Sequence, residues 1–279
     1  MEARRAEALG AKLPPLLVAA RRVAATVVGG MHGRRRAGPG DAFWQYRPAW
    51  PGEARHDPRA SAKAARPFVR ETEWEAAQTV LLWRDASASM QWRSGAALPL
   101  KAARAELFLL ALAALLLRGG ERVRLLGGPP GAGWGRGALD AVAATLAGVP
   151  AAGLPAAEPV PRFARAVLLG DFLAPLEEVR AVLGRFAASG VGGHLLQVLD
   201  PAEAALPYAG RVRFRGLEGE ADRVIGNAEG VRGEYAAALA AQQRGLAGLC
   251  AAAGWSYAVH RTDQPAAAAL LGLHAALSG

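Results

Sequence analysis

The sequence predicts an α/β protein: a doubly wound, mostly parallel sheet with helices on both faces, preceded by an N-terminal helix and an irregular arm. Three observations predict it. The runs Thr79-Val80-Leu81-Leu82-Trp83, Ala166-Val167-Leu168-Leu169 and His194–Leu199 are apolar stretches without turn residues, as expected of strands buried on both faces. Helix-length segments separate them, so strands and helices alternate from residue 71 onward. The first two runs are followed closely by a carboxylate, Asp85 and Asp171, where a parallel sheet gathers its ligands.

Taken in order, residues 13–30 read as an amphipathic helix with Leu16, Leu17, Ala20, Val23, Ala24, Val27 and Val28 on one face, ended by Gly29 and Gly30. Residues 31–70 are rich in Gly, Pro, Arg and aromatics without a sustained period; Phe43–Arg47 reads as a short strand and the rest as an ordered arm on the main domain. The expected division is therefore 1–70, helix and arm, and 71–279, the main domain. After the strand at 79–83, Pro99 suits the first turn of a helix running to Arg118, stopped by Gly119-Gly120. Arg122–Leu126 is a short strand and Ala138–Leu146 a short helix. Pro175 opens a helix with Glu177 and Glu178 in its first turn, where the dipole favours them, and Gly190 closes it. Arg211–Arg215 alternates charged and apolar residues, the pattern of a half-exposed edge strand of the sheet. An Ala-rich helix from about Gly230 to Ala253, a strand Trp255–His260 and a helix Pro265–Leu277 complete the chain.

Bulk composition narrows the function classes. The chain has 279 residues, 52% hydrophobic and 20% charged, which is globular rather than disordered. Its net charge of +9 comes mostly from arginines, clustered only in the N-terminal third and otherwise scattered among acids, so the basicity reads as surface composition. The run Arg34-Arg35-Arg36 reads as a solvated turn or partner-binding face before a nucleic-acid grip. Cys250 is the sole cysteine, which excludes an intrachain disulfide; between Leu249 and Ala251 it reads as a buried helical thiol. Neither Leu13–Ala20 nor Leu107–Leu117 approaches the roughly 20 apolar residues of a spanning helix. Together with Pro14 and Pro15 breaking any signal-peptide core, this predicts a soluble cytoplasmic protein without a membrane span.

The chemistry concentrates in Asp85-Ala86-Ser87-Ala88-Ser89. One carboxylate and two hydroxyls at alternating positions supply the partial oxygen shell that Mg²⁺ uses while keeping several waters. Asp171 should emerge on the same sheet edge and add a second carboxylate. The plainer reading of Asp171 is a helix N-cap, and that of Ser87 and Ser89 is loop serines bonding local backbone. Two acids on neighbouring strands, with small alanines leaving room between the serines, favour the site. Other motifs fail. The glycine-rich loop Gly127–Gly137 has no Lys and misses the phosphate-binding spacing. The five histidines share no metal-ligand spacing, and Ser87 lacks the Gly-x-Ser-x-Gly elbow of a hydrolase.

In order, Leu13-Pro14, Ala37-Gly38-Pro39-Gly40, Phe43–Arg47, Pro51-Gly52-Glu53, Phe68-Val69-Arg70-Glu71, Asp85–Met90, Gly170-Asp171-Phe172, Asp200-Pro201-Ala202-Glu203, Val231–Tyr235 and Thr262-Asp263-Gln264-Pro265 form a series spanning nearly the whole chain. The series resembles the bacterial domain-of-unknown-function 58 family, whose members carry a von Willebrand factor A-like domain of Rossmann type. Asp-x-Ser-x-Ser is similar to the opening motif of that domain's metal-ion-dependent adhesion site. The resemblance implies Mg²⁺ held by Asp85, Ser87, Ser89 and Asp171. It departs at Gly52-Glu53, at His56-Asp57-Pro58-Arg59, and in the loop Gly127–Gly137, which lacks the threonine such a site takes as a ligand. Thr145 lies inside a helix, so the metal shell is incomplete.

The resemblance further implies a non-enzymatic interaction module whose cation completes its shell with an acidic residue of a partner. It also implies work alongside a MoxR-type AAA+ ATPase in protein assembly or maturation. Two alternatives stay open. In one, Asp85 is the phosphoryl-accepting nucleophile of a Mg²⁺-dependent phosphotransferase and Asp171 binds the metal; Ser87 stands where such enzymes carry a second Asp, and the only lysines are Lys12, Lys63 and Lys101. In the other, the chain is a scaffold with no metal.

Overall fold

The computed structural model describes residues 15–25, 36–48, 68–74 and 77–278, apart from 132 and 136. The readings made on Leu13-Pro14, Gly29-Gly30, Arg34-Arg35, Pro51–Glu53 and His56–Arg59 lie outside the described residues. The chain forms two compact units, one from residues 31–78 and one from residues 79–279 with the N-terminal helix. In the first, β1 (Arg36–Pro48) pairs antiparallel with β2 (Phe68–Trp74), with register shifts between Gly38 and Phe43 and between Phe43 and Gln45. The strand expected at Phe43–Arg47 is thus part of a longer ribbon.

The second unit is built on a five-stranded sheet of β3 (Thr79–Arg84), β4 (Arg122–Leu125), β5 (Arg165–Gly170), β6 (Gly192–Leu199) and β9 (Ser256–Arg261), in the order β4-β3-β5-β6-β9. Every neighbouring pair is parallel. Counted within this sheet the order is 2-1-3-4-5, a doubly wound arrangement whose direction of winding reverses between β3 and β5.

Strand side chains alternate between two cores, as the pleat requires. Val80, Leu82, Val167, Leu169, Leu196 and Val198 face one, and Leu81, Trp83, Ala166, Leu168 and Leu195 the other. The first core receives α1 (residues 15–25), α2 (Lys101–Arg118), α3 (Ala138–Leu146) and α7 (Ala266–Ser278). The second receives α4 (Leu176–Ala188) and α6 (Arg232–Ala252). The Ala- and Leu-rich sequence of α2 is a strong helix former. Phe108 through Leu116 are all buried, which a helix manages only when it is covered on every side. Ala20 and Ala24 of α1, Val142 and Leu146 of α3, and Leu270 and Leu273 of α7 join it in the same core.

Two elements differ from the sequence expectation. The segment at 211–215 is not an edge of the sheet: β7 (Val212–Phe214) pairs with β8 (Arg223–Ile225) in a separate antiparallel ribbon. Its alternation reports one half-covered face, which a small ribbon shares with a sheet edge. The turn after Asp200 forms a short helix, α5 (Pro201–Ala205), fixed by a capping box between Asp200 and Glu203. Among the described residues no helix is long and apolar enough to cross a membrane.

Candidate functional site

Asp85 follows β3 directly, and its backbone N–H still bonds to Leu169 O of β5 at 2.7 Å. Asp171 follows β5. The two carboxylates therefore flank the point where the sheet reverses its winding, the position at which open α/β sheets bind ligands. Gly170 makes the approach possible: a Cβ there would stand 2.9 Å from Asp85 Cβ and 3.2 Å from its Oδ2. Phe172 then turns the chain with φ of 47° and buries its ring 6.3 Å from that of Trp83, anchoring the exit from β5.

The four residues singled out by the sequence meet. Asp85 Oδ1 accepts the Ser87 N–H at 2.8 Å and the Ser87 hydroxyl at 2.5 Å. The Ser89 hydroxyl donates to Asp171 Oδ2 at 2.6 Å, and the two serine oxygens lie 3.1 Å apart. The plainer readings do not describe these residues. Pro175, not Asp171, is the N-cap of α4, and Ser87 makes no side-chain cap to the 3-10 turn Ala88–Gln91 that it precedes. Asp85 and Asp171 are buried, with relative exposures of 1% and 5%.

Sequence reasoning missed the residues that surround this chain of oxygens. Lys101, the first residue of α2 and fully buried, places Nζ 3.0 Å from Asp171 Oδ2 and 2.5 Å from Glu203 Oε1. Glu203 Oε2 accepts the Asp200 N–H, and Asp200 Oδ2 accepts the Ser94 N–H at 2.9 Å, tying the loop after Ser89 to α5. Gln197, inside β6, donates to the Asp171 carbonyl at 2.7 Å and accepts the Tyr257 hydroxyl at 2.7 Å. From the turn between β7 and β8, Glu218 Oε1 accepts the Ser89 N–H at 3.1 Å. The only local signal was the Asp-Pro-x-Glu capping pattern at 200–203.

Charge accumulates here. Burial, then the neighbouring Asp171 carboxylate, push the Asp85 pKa from its ordinary 3.8 to about 6; the two Ser87 hydrogen bonds oppose this and Glu218 adds to it. Burial works against the Lys101 ammonium, but the Asp171 and Glu203 carboxylates together outweigh it and raise its pKa.

The donor set fits a hard divalent cation. Each hydroxyl lies within hydrogen-bonding distance of a carboxylate, Ser87 of Asp85 and Ser89 of Asp171, and the two serine oxygens are 3.1 Å apart. Adjacent ligands of octahedral Mg²⁺, bonded at about 2.0–2.1 Å, sit about 3 Å apart. Among the described residues no group of three or more His, Cys, Asp or Glu is placed to hold a metal. The second crossover meets the serine segment at Ala152-Gly153: Ala86 N–H bonds to Ala152 O, and a Cβ on Gly153 would lie 3.9 Å from Ser87 Cβ. That stretch has no threonine either, and Thr145 bonds to its own helix at Ala141 O.

No curated protein matches the chain. A crystal structure titled as conserved hypothetical protein BatB from Bacteroides thetaiotaomicron is similar at 14% identity, covering 72% of this chain and 99% of that one with a TM-score of 0.32. The family model described as "Protein of unknown function DUF58" matches residues 45–245, well over half of the sequence and including Asp85, Ser87, Ser89 and Asp171, and the chain belongs to that family.

Proposed function

We propose that the chain is a protein-interaction module of von Willebrand factor A-like type, in which Asp85, Ser87, Ser89 and Asp171 hold Mg²⁺ at the sheet edge. The observation that carries this reading is the pair of serine oxygens, 3.1 Å apart, set between the Asp85 and Asp171 carboxylates. A bound dication would favour the ionised form of Asp85 against the burial and the neighbouring Asp171 charge that oppose it. With no threonine at hand the shell stays open, and an acidic side chain of a partner completes it. Leu173 and Leu217, each nearly half exposed and adjacent in sequence to residues of the site, supply apolar contact for a protein surface. The partner we propose is a MoxR-type AAA+ ATPase, with which the module acts in protein assembly or maturation.

Phosphoryl transfer from Asp85 is the poorer reading. The lysine beside the site is enclosed and holds two internal carboxylates, so its ammonium is not directed at a bound phosphate. The test is co-purification of the tagged chain with the ATPase, in Mg²⁺ and in chelator, for the wild type and Asp85→Ala. Binding lost in chelator and in the variant is expected. Binding unchanged in both overturns the metal bridge, and turnover of generic phosphate esters that Asp85→Ala abolishes would replace this reading with the enzymatic one.

A further inference from the structure

Lys101 is in an unfavourable place. It is the first residue of the 18-residue helix α2, whose N-cap, Leu100, offers no side-chain cap and whose first turn has no acid. The positive end of the helix dipole repels a cation there, and full burial removes water from the ammonium. Two carboxylates hold it: Asp171, from the end of β5, and Glu203, from α5. Asp171 Oδ2 thereby receives both the Ser89 hydroxyl and the ammonium.

From this placement we infer that Lys101 is a tethered resident cation: it assembles the acidic sheet edge without metal, and its charge lowers the affinity of the same edge for a divalent cation. The first half rests on the contacts alone; the second rests on the metal reading proposed above. A lysine so placed compensates the buried Asp171 and the half-buried Glu203. It also stands on the oxygen through which Asp171 holds Ser89, so a dication binding at Ser89 meets a fixed positive charge close by. Metal binding at this edge is in consequence weak by construction and strengthens when a partner brings a carboxylate.

The test uses the full chain as wild type, Lys101→Met, and Lys101→Met with Glu203→Gln. In chelator, Lys101→Met is expected to melt roughly 5–10 °C below the wild type, because one buried partner of an ion cluster is gone. The double variant, which removes the second charge as well, is expected to recover much of that loss. Titration calorimetry with Mg²⁺ is expected to show about tenfold tighter binding to Lys101→Met than to the wild type. A single variant that cannot be purified folded, beside a double variant that can, supports the same charge balance. A wild-type melting temperature in Lys101→Met, no recovery in the double variant, or Mg²⁺ affinity equal to the wild type overturns the inference. If Mg²⁺ binds none of the three while the melting pattern holds, the metal bridge fails and Lys101 stands as the cation of the edge.

Discussion

Gly170 and Asp85 sit so close across β5 and β3 that a Cβ on Gly170 would stand 2.9 Å from Asp85 Cβ. Real side chains do not tolerate that approach, so one strand end must give way. Gly170→Ala is expected to cost about 1–3 kcal/mol, the usual range for overpacking a close-packed interior. It should also displace Asp85 from Ser87. Urea denaturation measures the first effect and Mg²⁺ titration the second. Wild-type behaviour in both would mean that the ends of β3 and β5 are looser than this contact allows.

Asp85 makes the protein's stability depend on pH in a direction opposite to that of a salt-bridged acid. Its pKa is raised on folding, from 3.8 to about 6, so the folded state holds the proton more tightly than the unfolded one. The penalty for ionising it is fully present above pH 6 and disappears as pH falls toward 3.8. Asp85→Asn, which keeps a carbonyl acceptor for the Ser87 N–H, is expected to be more stable than the wild type at pH 8 by on the order of 2–3 kcal/mol in metal-free buffer. The advantage should vanish near pH 4. His194 and His260 act the other way in the same window: burial lowers both to about 4, so their neutral forms cost stability as pH falls from 6.5. The difference between variant and wild type therefore isolates Asp85, and a flat difference across pH 4–8 contradicts the assignment.

Gln197 holds the Asp171 backbone from inside an apolar strand, with the Tyr257 hydroxyl on its other end. Gln197→Leu keeps the volume and removes these contacts, leaving the Asp171 carbonyl, the Tyr257 hydroxyl and the Gln243 amide without this partner. A loss of about 1–3 kcal/mol is expected, and a smaller one for Tyr257→Phe. Chemical denaturation of the two single variants and the double variant decides it; additive losses would mean that the two side chains do not act as one network.

Cys250 is buried in α6, and burial pushes its thiol up to about 12, so the nucleophilic thiolate is scarce at neutral pH. Disulfide reagents are expected to leave the native protein unmodified and to titrate one thiol after denaturation. Rapid labelling of the native protein would place this part of α6 away from the core.

Much of the fold was legible in the sequence because the central strands are mainly apolar runs and most helices have their own stop signals, as at Gly119 and Gly190. The site's Asp85, Ser87 and Ser89 lie within five residues, and Asp171 was legible because it follows a strand as Asp85 does. Its other half was not legible. Lys101 meets Asp171 across 70 residues, and Ser89 meets Glu218 across 129, separations that no local pattern encodes. A lysine at a helix start reads as a solvated charge, and a glutamine within an apolar strand reads as an interruption. Only folding shows that Lys101 lies inside and that Gln197 supports the Asp171 backbone. The segment 211–215 reads as a sheet edge because short-range alternation records which face is covered and not what covers it.

The reversal of winding between β3 and β5 sends the helix after β3 into one core and the helix after β5 into the other. Asp85 leads toward a helix of the first core and Asp171 toward a helix of the second, although their carboxylates stand on adjacent strands and are joined through Ser87 and Ser89. A ligand gripped by both fastens the two layers together like a clasp, and any sliding of one layer over the other changes the gap it must span. On the proposed metal-bridge reading, a pull on a bound partner would be shared by two strand ends and not borne by a single loop.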